Sequence, residues 1–563
     1  MDINTKQKKA VFELCGNTLI TASPGSGKTR TLVARGIHRL ENLPKFKSLA
    51  LITYTNAAAD EIASRLITEK NCFIGTIHSF CLEFILRPFS WKCNWTRPHV
   101  ISYEQKQVFF EENDDINLES SLQNKFDELN KIRKRIDGSL DTSVDWNHPY
   151  ELGDIAERYY EYQSSINAID FNEILYRSYI LVRDFKFIPI SLSSMFYEIL
   201  VDEFQDTNIY QYEILKLINS FGNCTFFFVG DEKQKIFSFA GAIEDSFERA
   251  KVDFNAQQLD LTEVYRSTNN IVRAYSKLFP DHPTIINSSD LANINIDIVT
   301  LQTDKKNHNS YIQRIVKHLV EKKGIGLSGI AILSTSWYAA FPVSQLLRAN
   351  YRIVGLGALP HKGVSNSTMS LLRILSRYYV YPSIGAIRGI KRNFEAHMLI
   401  NNIQYSDQER VICINNLIAD FGRVTENINI AEGLLLIKSL FDKAFQVQDS
   451  TFGEIIDLIS EEEKQAWSIG EYLKTLAGVD GITCNTIHKA KGLEFDAVIL
   501  NGMNENRIPY QKLINRSNWT YAELTTADIE NGRNLFYVAV SRAKKYLILL
   551  HNWKPSMFIG LLK

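Results

Sequence analysis

The sequence predicts an α/β fold with two parallel-sheet cores, each interrupted by a mainly helical insertion. Short apolar segments alternate with helical stretches near the N-terminus and again from Leu259 onward, as buried strands of a parallel sheet do. Two longer polar stretches with a helical pattern separate these strand-rich parts. The predicted limits are residues 1–88 and 168–258 for the first core, 89–167 for its insertion, 259–370 and 476–563 for the second core, and 371–475 for the second insertion.

The bulk composition is that of an ordinary globular chain. The 563 residues carry a formal net charge of −1 and are 45% hydrophobic, and the apolar runs are far shorter than the roughly 18 residues of a membrane span. Seven cysteines form no C-x-x-C pair, which indicates reduced thiols in a cytoplasmic protein without membrane association. A net charge near zero leaves nucleic acid open as a partner, because a local basic channel can bind it.

The stretch "TASPGSGKTR" has the glycines, lysine and threonine of a phosphate-binding loop. It follows the apolar "NTLIT" and precedes a helical pattern, so N–H groups at a helix N-terminus would face an anion. Gly25 and Gly27 let the backbone come close to a phosphate. Lys28 can reach the β- and γ-phosphates, and Thr29 can ligate Mg²⁺. Ala22 stands where the pattern has its first glycine, and a plain glycine turn is the alternative.

The stretch "ILVDEFQDT" supplies carboxylates at the end of another predicted strand. At that position Asp202 would hold the metal ion, while Glu203 would activate the attacking water as a general base. A solvated acidic turn is the alternative for an isolated Asp-Glu pair. Beside a phosphate loop on the same core, the two carboxylates favour a nucleoside triphosphatase site.

"DEFQDT" also resembles motif II of the UvrD/Rep/PcrA helicases of superfamily 1, and the likeness extends along the chain in that family's order. The further stretches are "NTKQKKA" (Q-motif), "ASPGSGKTR" (phosphate loop), "TYTNAAADEI" (Ia), "GTIHSF" (Ib), "VGDEKQKIFSFAGA" (III), "VYRST" (IV), "TIHKAKGLEFDAVIL" (V) and "FYVAVSRAKKYL" (VI). Alanine at the first loop position is usual in the family, which accounts for Ala22. The resemblance implies two RecA-like P-loop domains that bind ATP and Mg²⁺ in the cleft between them.

The resemblance implies a role for each matching residue around ATP. Tyr265 would stack on adenine, Gln7 would read the base, and Glu494 would meet the ribose. Arg266 and Arg542, on the second core, would act as arginine fingers on the γ-phosphate; without the motif, a solvated basic helix would be the alternative for Arg542. The implied ATP-binding residues are Gln7, Ala22, Gly25, Ser26, Gly27, Lys28, Thr29, Arg30, Gln205, Tyr265 and Glu494, the implied catalytic residues are Lys28, Glu203, Gln234, Arg266 and Arg542, and the implied metal ligands are Thr29 and Asp202.

A second implied site is a groove for single-stranded DNA that crosses both cores. Tyr54, Phe237 and Phe239 match positions where aromatic rings stack on bases, an interaction that tolerates any sequence. Core packing after a strand is the alternative for Phe237 and Phe239. The chain departs from the family at Ala240 and Asn534, where arginines are usual, and at Phe237, where tyrosine is usual; these changes affect the expected coupling of ATP to DNA. Backbone contacts are implied for Thr55, Asn56, His78 and His488.

Two functions follow from the resemblance. The first is an ATP-dependent translocase on single-stranded DNA that unwinds partly duplex DNA, with a 3′-to-5′ polarity implied by the family alone. The second is a regulatory subunit in which ATP and DNA occupancy switch a partner nuclease and unwinding is minor. The reduced second insertion and the short stretch after motif VI are similar to the helicase-like subunit of Gabija antiviral systems, which works with an OLD-type nuclease. Antiviral defence or DNA repair is the expected setting.

Overall fold

The computed structural model describes residues 3–66, 71–96, 98–116, 122–144, 146, 150–237, 241–361, 363–364, 366–401, 403–447, 449–515 and 520–562. Phe239 and Ala240 of motif III lie outside the described residues. The helices, in chain order, are α1 (Thr5–Lys8), α2 (Lys28–Glu41), α3 (Asn56–Arg65), α4 (Ile77–Cys81), α5 (Arg87–Phe89), α6 (Tyr103–Glu112), α7 (Leu122–Leu129), α8 (Leu152–Ser165), α9 (Phe171–Asp184), α10 (Phe187–Met195), α11 (Ile209–Asn219), α12 (Ser246–Asp253), α13 (Asn269–Lys277), α14 (His308–Glu321), α15 (Trp337–Arg348), α16 (Ser367–Val380), α17 (Ile384–Ile400), α18 (Asp407–Phe421), α19 (Ile430–Phe445), α20 (Thr451–Leu458), α21 (Glu461–Ala466), α22 (Ile469–Ala477), α23 (Thr526–Val540) and α24 (Met557–Leu562).

The first half of the chain forms a six-stranded parallel sheet. The strands of this half are β1 (Thr18–Ala22), β2 (Ser48–Thr53), β3 (Cys72–Thr76), β4 (His99–Val100), β5 (Ala168–Ile169), β6 (Phe196–Val201), β7 (Thr225–Gly230) and β8 (Gln257–Leu261). The order across the sheet is β3-β2-β6-β7-β1-β8, while β4 and β5 form a separate short pair. Strands such as β7, with the sequence TFFFVG, are almost wholly buried, because helices cover both faces of a parallel sheet.

The second half of the chain forms another six-stranded parallel sheet. The strands of this half are β9 (Glu263–Val264), β10 (Ile286–Asn287), β11 (Val299–Gln302), β12 (Ile330–Ser334), β13 (Ile353–Gly355), β14 (Ile482–Thr486), β15 (Phe495–Asn501), β16 (Leu513–Asn515), β17 (Thr520–Tyr521) and β18 (Ala543–His551). The order across the sheet is β11-β18-β15-β12-β14-β13, and β9/β10 and β16/β17 are separate pairs. Two parallel-sheet α/β cores confirm the predicted fold class.

Both stretches predicted as insertions contain helices around an apolar cluster of their own. In the first, Phe109 and Phe110 of α6 pack with Tyr159 of α8. In the second, α16 to α22 surround a larger cluster that includes Leu375 and Phe394. Strands β13 and β14 pair directly although these seven helices separate them in the chain. The domain limits themselves stay a prediction. Within the described ranges, no helix combines the length and apolar character needed to cross a membrane.

The sheet topology brings the candidate nucleotide residues together. Strands β6, β7 and β1 are neighbours in the first sheet, and their carboxyl ends lead to Asp202, to Asp231 and to the phosphate loop. Such ends of adjacent parallel strands are where ligands bind in α/β folds. From the second core, Glu494 and Arg542 stand directly before the adjacent strands β15 and β18. The cleft between the two sheets is therefore lined from both sides.

Candidate functional site

The phosphate loop connects β1 to α2 and needs glycine at two positions. Gly25 and Gly27 have φ angles of 79° and 82°, in the left-handed region that favours glycine. A Cβ on Gly25 would lie 2.7 Å from Cβ of Arg266, and one on Gly27 would lie 2.6 Å from Nε2 of Gln7. The backbone conformation therefore favours glycine at both positions, and at Gly25 the Cβ of Arg266 also leaves no room for a side chain. Ala22, by contrast, is the buried last residue of β1, where its methyl group packs in the core.

Two polar groups of this loop are buried without a hydrogen-bond partner. They are Nζ of Lys28, whose side chain is 13% exposed, and Oγ of Ser26. Buried polar groups in proteins are normally satisfied, so each unpaired one requires an explanation. Both are donors beside a helix N-terminus, which is the donor set that phosphate oxygens accept. The loop thus fits the triphosphate of a nucleotide.

The two carboxylates after β6 differ in their electrostatics. Burial and the charge of Glu203 raise the pKa of Asp202, whose Oδ1 accepts the N–H of Glu203 at 3.0 Å. Burial alone would also raise the pKa of Glu203, but the cations of Lys28 and Lys491 outweigh it and lower that pKa. Glu203 is held in the left-handed region with φ of 51°, a strained conformation of the kind that clusters at functional sites. Because its pKa is lowered, Glu203 remains ionised at neutral pH.

A chain of hydrogen bonds runs from this carboxylate across the cleft to the second core. The side-chain amide of Gln205 donates to Glu203, and its Oε1 accepts the N–H of Asp231 at 3.0 Å. Nε2 of Gln234 donates to Asp231 Oδ2 at 2.8 Å, and Nη2 of Arg542 donates to Gln234 Oε1 at 3.3 Å. The structure thus joins four of the predicted residues, and Asp231 is the link that sequence reasoning missed.

Arg542 is buried, and the solvated-helix alternative for it is wrong. Its side chain is 2% exposed and donates to the carbonyl oxygens of Val538 at 3.0 Å and Leu493 at 3.1 Å, and to Oγ of Ser541 at 3.0 Å. Burial, together with the neighbouring Arg266, lowers the pKa of Arg542. A cation kept in such a site is held in place by its acceptors and by the carboxylates across the cleft.

The other predicted arginine pairs with the predicted ribose-binding carboxylate. Nε of Arg266 lies 2.6 Å from Oε2 of Glu494, and Nζ of Lys544 lies 2.8 Å from its other oxygen. Burial would raise the pKa of Glu494, but these two cations lower it. The N–H of Tyr265 donates to the carbonyl oxygen of Gly25 at 2.9 Å, so the segment that carries Arg266 is bonded directly to the phosphate loop.

The predicted adenine residues form a small network at the N-terminus. The amide of Gln7 donates to the carbonyl oxygen of Ser26 at 2.8 Å and accepts the N–H of Asn4 at 3.0 Å. Nδ2 of Asn4 donates to the hydroxyl of Tyr265 at 2.7 Å, which in turn donates to Glu263 at 2.8 Å. Gln7 is therefore bonded directly to the phosphate loop. The "NTKQ" capping pattern, with Asn and Gln three residues apart, was the signal for Asn4.

Three of the predicted DNA-contacting residues form one aromatic stack at the cleft. The rings of Tyr54 and Phe237 lie 5.1 Å apart with an interplanar angle of 18°, and the ring of His488, tilted by 48°, lies 6.2 Å from that of Phe237. Phe237 is half-buried and also packs on the apolar cluster of the second core, so the core-packing alternative holds in part. Nζ of Lys491 lies 5.1 Å above the same ring. This stack, called here the Tyr54 stack, contains residues of both cores.

The remaining DNA candidates occupy different surroundings. Oγ1 of Thr55 caps α3 by accepting the N–H of Ala58 at 3.2 Å, and Asn56 is exposed as the first residue of that helix. His78 makes an edge-to-face contact with Phe171 at 5.2 Å. Burial lowers the pKa of His78 to about 4, so the imidazole is neutral at physiological pH.

Lys491 is the functional candidate that sequence reasoning did not single out. It belongs to motif V, directly before Gly492, and its side chain is 7% exposed. Nζ donates to the carbonyl oxygen of Gln234 at 2.7 Å and to Asp206, and it lies 3.9 Å from Glu203. A single lysine within motif V carries no distinctive local pattern, so only the fold shows that it bridges the cores.

The fold and these contacts define a class of protein: a P-loop ATPase with two parallel-sheet cores, both of which carry candidate residues for the nucleotide site. Protein-family models then give the family. Residues 3–255 match the UvrD/REP helicase N-terminal domain, and residues 398–553 match the UvrD-like helicase C-terminal domain. The chain belongs to the UvrD-like helicases of superfamily 1 and is an ATP-dependent DNA helicase.

Relatives are similar over nearly the whole chain. The ATP-dependent DNA helicase Rep of Buchnera aphidicola is 25% identical, over 99% of this chain and 94% of the relative. DNA helicase II of Rickettsia typhi is 27% identical, over 99% and 93%. The ATP-dependent DNA helicase PcrA of Staphylococcus epidermidis is 25% identical, over 99% and 84%. All three relatives are named as DNA helicases.

Proposed function

We propose that the protein is a motor that moves along single-stranded DNA in the 3′-to-5′ direction and unwinds duplex DNA ahead of it. The observation that supports this most is the hydrogen-bonded chain from Glu203 through Gln205, Asp231 and Gln234 to Arg542. It joins the candidate base of one core to the candidate arginine finger of the other. A change at the γ-phosphate between them would therefore alter how the two cores meet.

The residues divide the chemistry of ATP hydrolysis among them. Lys28 and Ser26 would bind phosphate oxygens through their unpaired donors, and Glu203, ionised at neutral pH, would accept the proton of the attacking water. Thr29 and Asp202 would hold Mg²⁺, which neutralises phosphate charge when bound. Arg266 and Arg542 would stabilise the charge that develops on the transferred phosphoryl group. Tyr265 and Arg30 would flank the adenine, with Gln7 as reader and Glu494 at the ribose.

Lys491 connects this chemistry to the DNA face. The same ammonium group contacts Asp206 and the carbonyl oxygen of Gln234 and lies over the ring of Phe237. Opening or closing of the cleft would therefore shift Phe237 relative to Tyr54, the two rings between which bases would stack. Base stacking is sequence-tolerant, as a translocase requires.

A regulatory subunit of a nuclease complex is the second candidate function. Asn534, where the family usually has an arginine, donates to the carbonyl oxygen of Lys235 at 3.2 Å, so a neutral contact replaces a charge at the junction of the cores. Together with Ala240 and the reduced second insertion, this favours weak coupling of ATP to unwinding. An OLD-type nuclease would be the partner in that case, with antiviral defence of the Gabija type, rather than DNA repair, as the setting in the cytoplasm.

Strand displacement measured beside ATP hydrolysis tests both functions. Duplexes with a 3′ tail, a 5′ tail or no tail are mixed with the full chain, Mg²⁺ and ATP. The motor is supported if the duplex with a 3′ tail is unwound at a rate that scales with hydrolysis. Robust ATP hydrolysis stimulated by single strands, without displacement of any duplex, would instead favour the regulatory subunit.

A further inference from the structure

Strand β11 forms an open edge of the second sheet. It is the first strand in the order β11-β18-β15-β12-β14-β13, and among the described residues only β18 pairs with it. All four residues of β11, VTLQ, are exposed, and none of them is charged or a proline. Edge strands are usually protected by charged side chains, by proline or by a covering element, because their unpaired backbone groups can bind another chain. The edge at β11 therefore stands open to a further strand.

The hydrogen-bond register shows which backbone groups point to the open side. The N–H of Thr303, directly after β11, donates to the carbonyl oxygen of His551 in β18 at 2.9 Å. Alternate residues of a strand direct their N–H and C=O groups to the same neighbour. Leu301 therefore bonds toward β18, whereas Thr300 and Gln302 present their N–H and C=O groups outward. These outward groups are the ones with which an added strand would pair.

A groove of about 520 Å³ lies beside this edge, between β11 and helix α14. Helix α14 packs on the core through Val316, whereas Tyr311 and Ile315 of the same helix line the groove. Val299 and Leu301 of β11 line it as well and are 40% and 36% exposed. None of the described lining residues belongs to the nucleotide site or to the Tyr54 stack. The groove suits apolar side chains of a strand beside β11, because alternate residues of a strand point to one face.

Cations outnumber carboxylates along this groove. Arg314, His318 and Lys323 line it, and Asp297 is the one carboxylate among the described lining residues. The guanidinium carbon of Arg314 lies 4.4 Å from the centre of the Tyr311 ring, so this charge lies at the groove wall. Even with His318 neutral, two cations face one carboxylate. Acidic side chains of a partner complement such a surface, and this complementarity favours the correct partner over others.

We propose that β11 and this groove bind an extended acidic segment of a partner protein, which adds as a strand to the second sheet. Backbone hydrogen bonds to Thr300 and Gln302 would align the segment, and apolar side chains at every second position would fill the groove. Acidic side chains at the ends of this apolar run would pair with Arg314 and Lys323. This surface is separate from the nucleotide and DNA sites and goes beyond the proposed function.

Fluorescence anisotropy with the full chain tests this surface. The probe is a fluorescein-labelled peptide, EEVTVTVEE, whose valines share one face of a strand with a glutamate at each end, and KKVTVTVKK is its charge-reversed counterpart. We expect saturable binding of the acidic peptide and much weaker binding of the basic one, with a smaller difference at high salt. Amide hydrogen exchange at Thr300 and Gln302 should slow when the acidic peptide is bound, because their outward N–H groups become paired.

The substitution Thr300→Pro tests strand addition itself. Proline is tolerated where the N–H of an edge strand faces solvent, so the fold and the Tm should be kept, while an added strand loses a donor. Binding of the acidic peptide should fall by about 10-fold or more. Thr300→Val, which keeps the N–H, should bind the peptide as wild type does. Leu301→Thr, which keeps strand propensity but removes apolar lining, is a second variant that should lose affinity.

A matched pair of variants tests the charge. Arg314→Ala should weaken binding of the acidic peptide by about 2- to 5-fold. Lys317→Ala, which removes a lysine of the same helix that is 64% exposed and outside the lining, should leave binding unchanged. The ATPase rate with single-stranded DNA should be the same in all these variants, because none of them changes the nucleotide site.

Equal binding of the acidic peptide by wild type and by folded Thr300→Pro and Leu301→Thr variants would overturn the proposal, and so would the absence of saturable binding to wild type. Displacement of the peptide by oligo(dT) would overturn it in favour of nucleic acid. A dimer of the chain that Thr300→Pro dissociates would overturn it in favour of a second copy. None of these measurements depends on strand displacement, so the proposed helicase function is tested separately.

Discussion

Lys28 and Glu203 face each other at 3.9 Å in the phosphate site, with side chains that are 13% and 20% exposed. Their separate roles follow from that geometry. Lys28 has a free donor for phosphate, whereas Glu203 is an acceptor kept ionised by two lysines. Removing the charge of Lys28 should therefore impair ATP binding, and removing the charge of Glu203 should impair only the chemical step.

We expect Glu203→Gln to abolish ATP hydrolysis while ATP binding is retained, because the amide preserves the shape of the site but cannot accept a proton. Lys28→Ala should lose hydrolysis together with affinity for the phosphates. Steady-state turnover and ATP Kd of the purified variants check this. Glu248→Gln, whose side chain is 70% exposed, serves as the control. Wild-type turnover in Glu203→Gln would show that another group is the base.

Arg542→Ala should lower kcat by about 10³-fold or more, with a much smaller change in ATP Kd, because an arginine finger acts mainly on transition-state charge. Arg542→Lys should rescue poorly, since a point charge cannot replace a planar fork that donates to several acceptors at once. Kinetics and thermal melts of both variants separate catalysis from folding. Lys545→Ala, on the same strand, is the control. A folded Arg542→Ala variant with normal kcat would show that Arg542 is not an arginine finger.

At the scale of elements, the second insertion packs on the first core through helices α17 and α3. Helix α17 approaches α3 so closely at Gly385 that a Cβ there would lie 2.8 Å from the carbonyl oxygen of Asp60. Nη2 of Arg388 donates to the carbonyl oxygen of Ile74 at 2.8 Å in the adjacent strand. Because α3 begins beside Tyr54, the insertion is positioned against the DNA face of the first core.

Gly385→Leu should force α17 away from α3 and lower the Tm by several degrees, since the contact made through backbone has no room to relax. Gly453→Leu in α20 is the matched control, because a Cβ at that position meets open space. There the better helix propensity of leucine should leave Tm equal or slightly raised. Thermal unfolding of both variants decides the matter. The same Tm change in each would show that the close approach contributes nothing to stability.

At the scale of the whole molecule, the second core reaches the first through Arg542, Lys491 and Asn534, and each of these contacts ends on motif II or motif III. The nucleotide site and the Tyr54 stack share these connections. Occupancy of one site should therefore change the ligand affinity of the other, which is the thermodynamic meaning of coupling.

We expect single-stranded DNA to raise the ATPase rate and added salt to reduce that stimulation, because binding to the DNA backbone releases counterions. Lys491→Met should lose most of the stimulation, since it removes the group between Asp206 and Phe237. Lys489→Met, an exposed lysine two residues earlier, removes the same charge and is the control. ATPase assays with increasing oligo(dT) at two salt concentrations check both points. Equal stimulation in the two variants would contradict a coupling role for Lys491.

The sequence by itself determined the parts of this protein that depend on contiguous residues. A strand, a loop with Gly25 and Gly27 and a helix beginning at Lys28 form a local pattern, because backbone conformation and helix N-termini are set by neighbours in the chain. Alternating apolar strands and helices likewise determined two parallel sheets. The motif resemblance added a nucleotide set and an aromatic set, of which the structure brings Tyr54, Phe237 and His488 together.

The tertiary structure alone decided which of these groups meet across the cleft. Arg542 belongs to a basic segment of the sequence. In the fold it is almost completely buried, and it donates a hydrogen bond to Gln234, which is 308 residues away in the chain. Nζ of Lys491 likewise donates to Asp206, 285 residues away in the chain. Local patterns cannot contain such contacts, because strand order and the packing of one core on another are set by the summed burial of the whole chain.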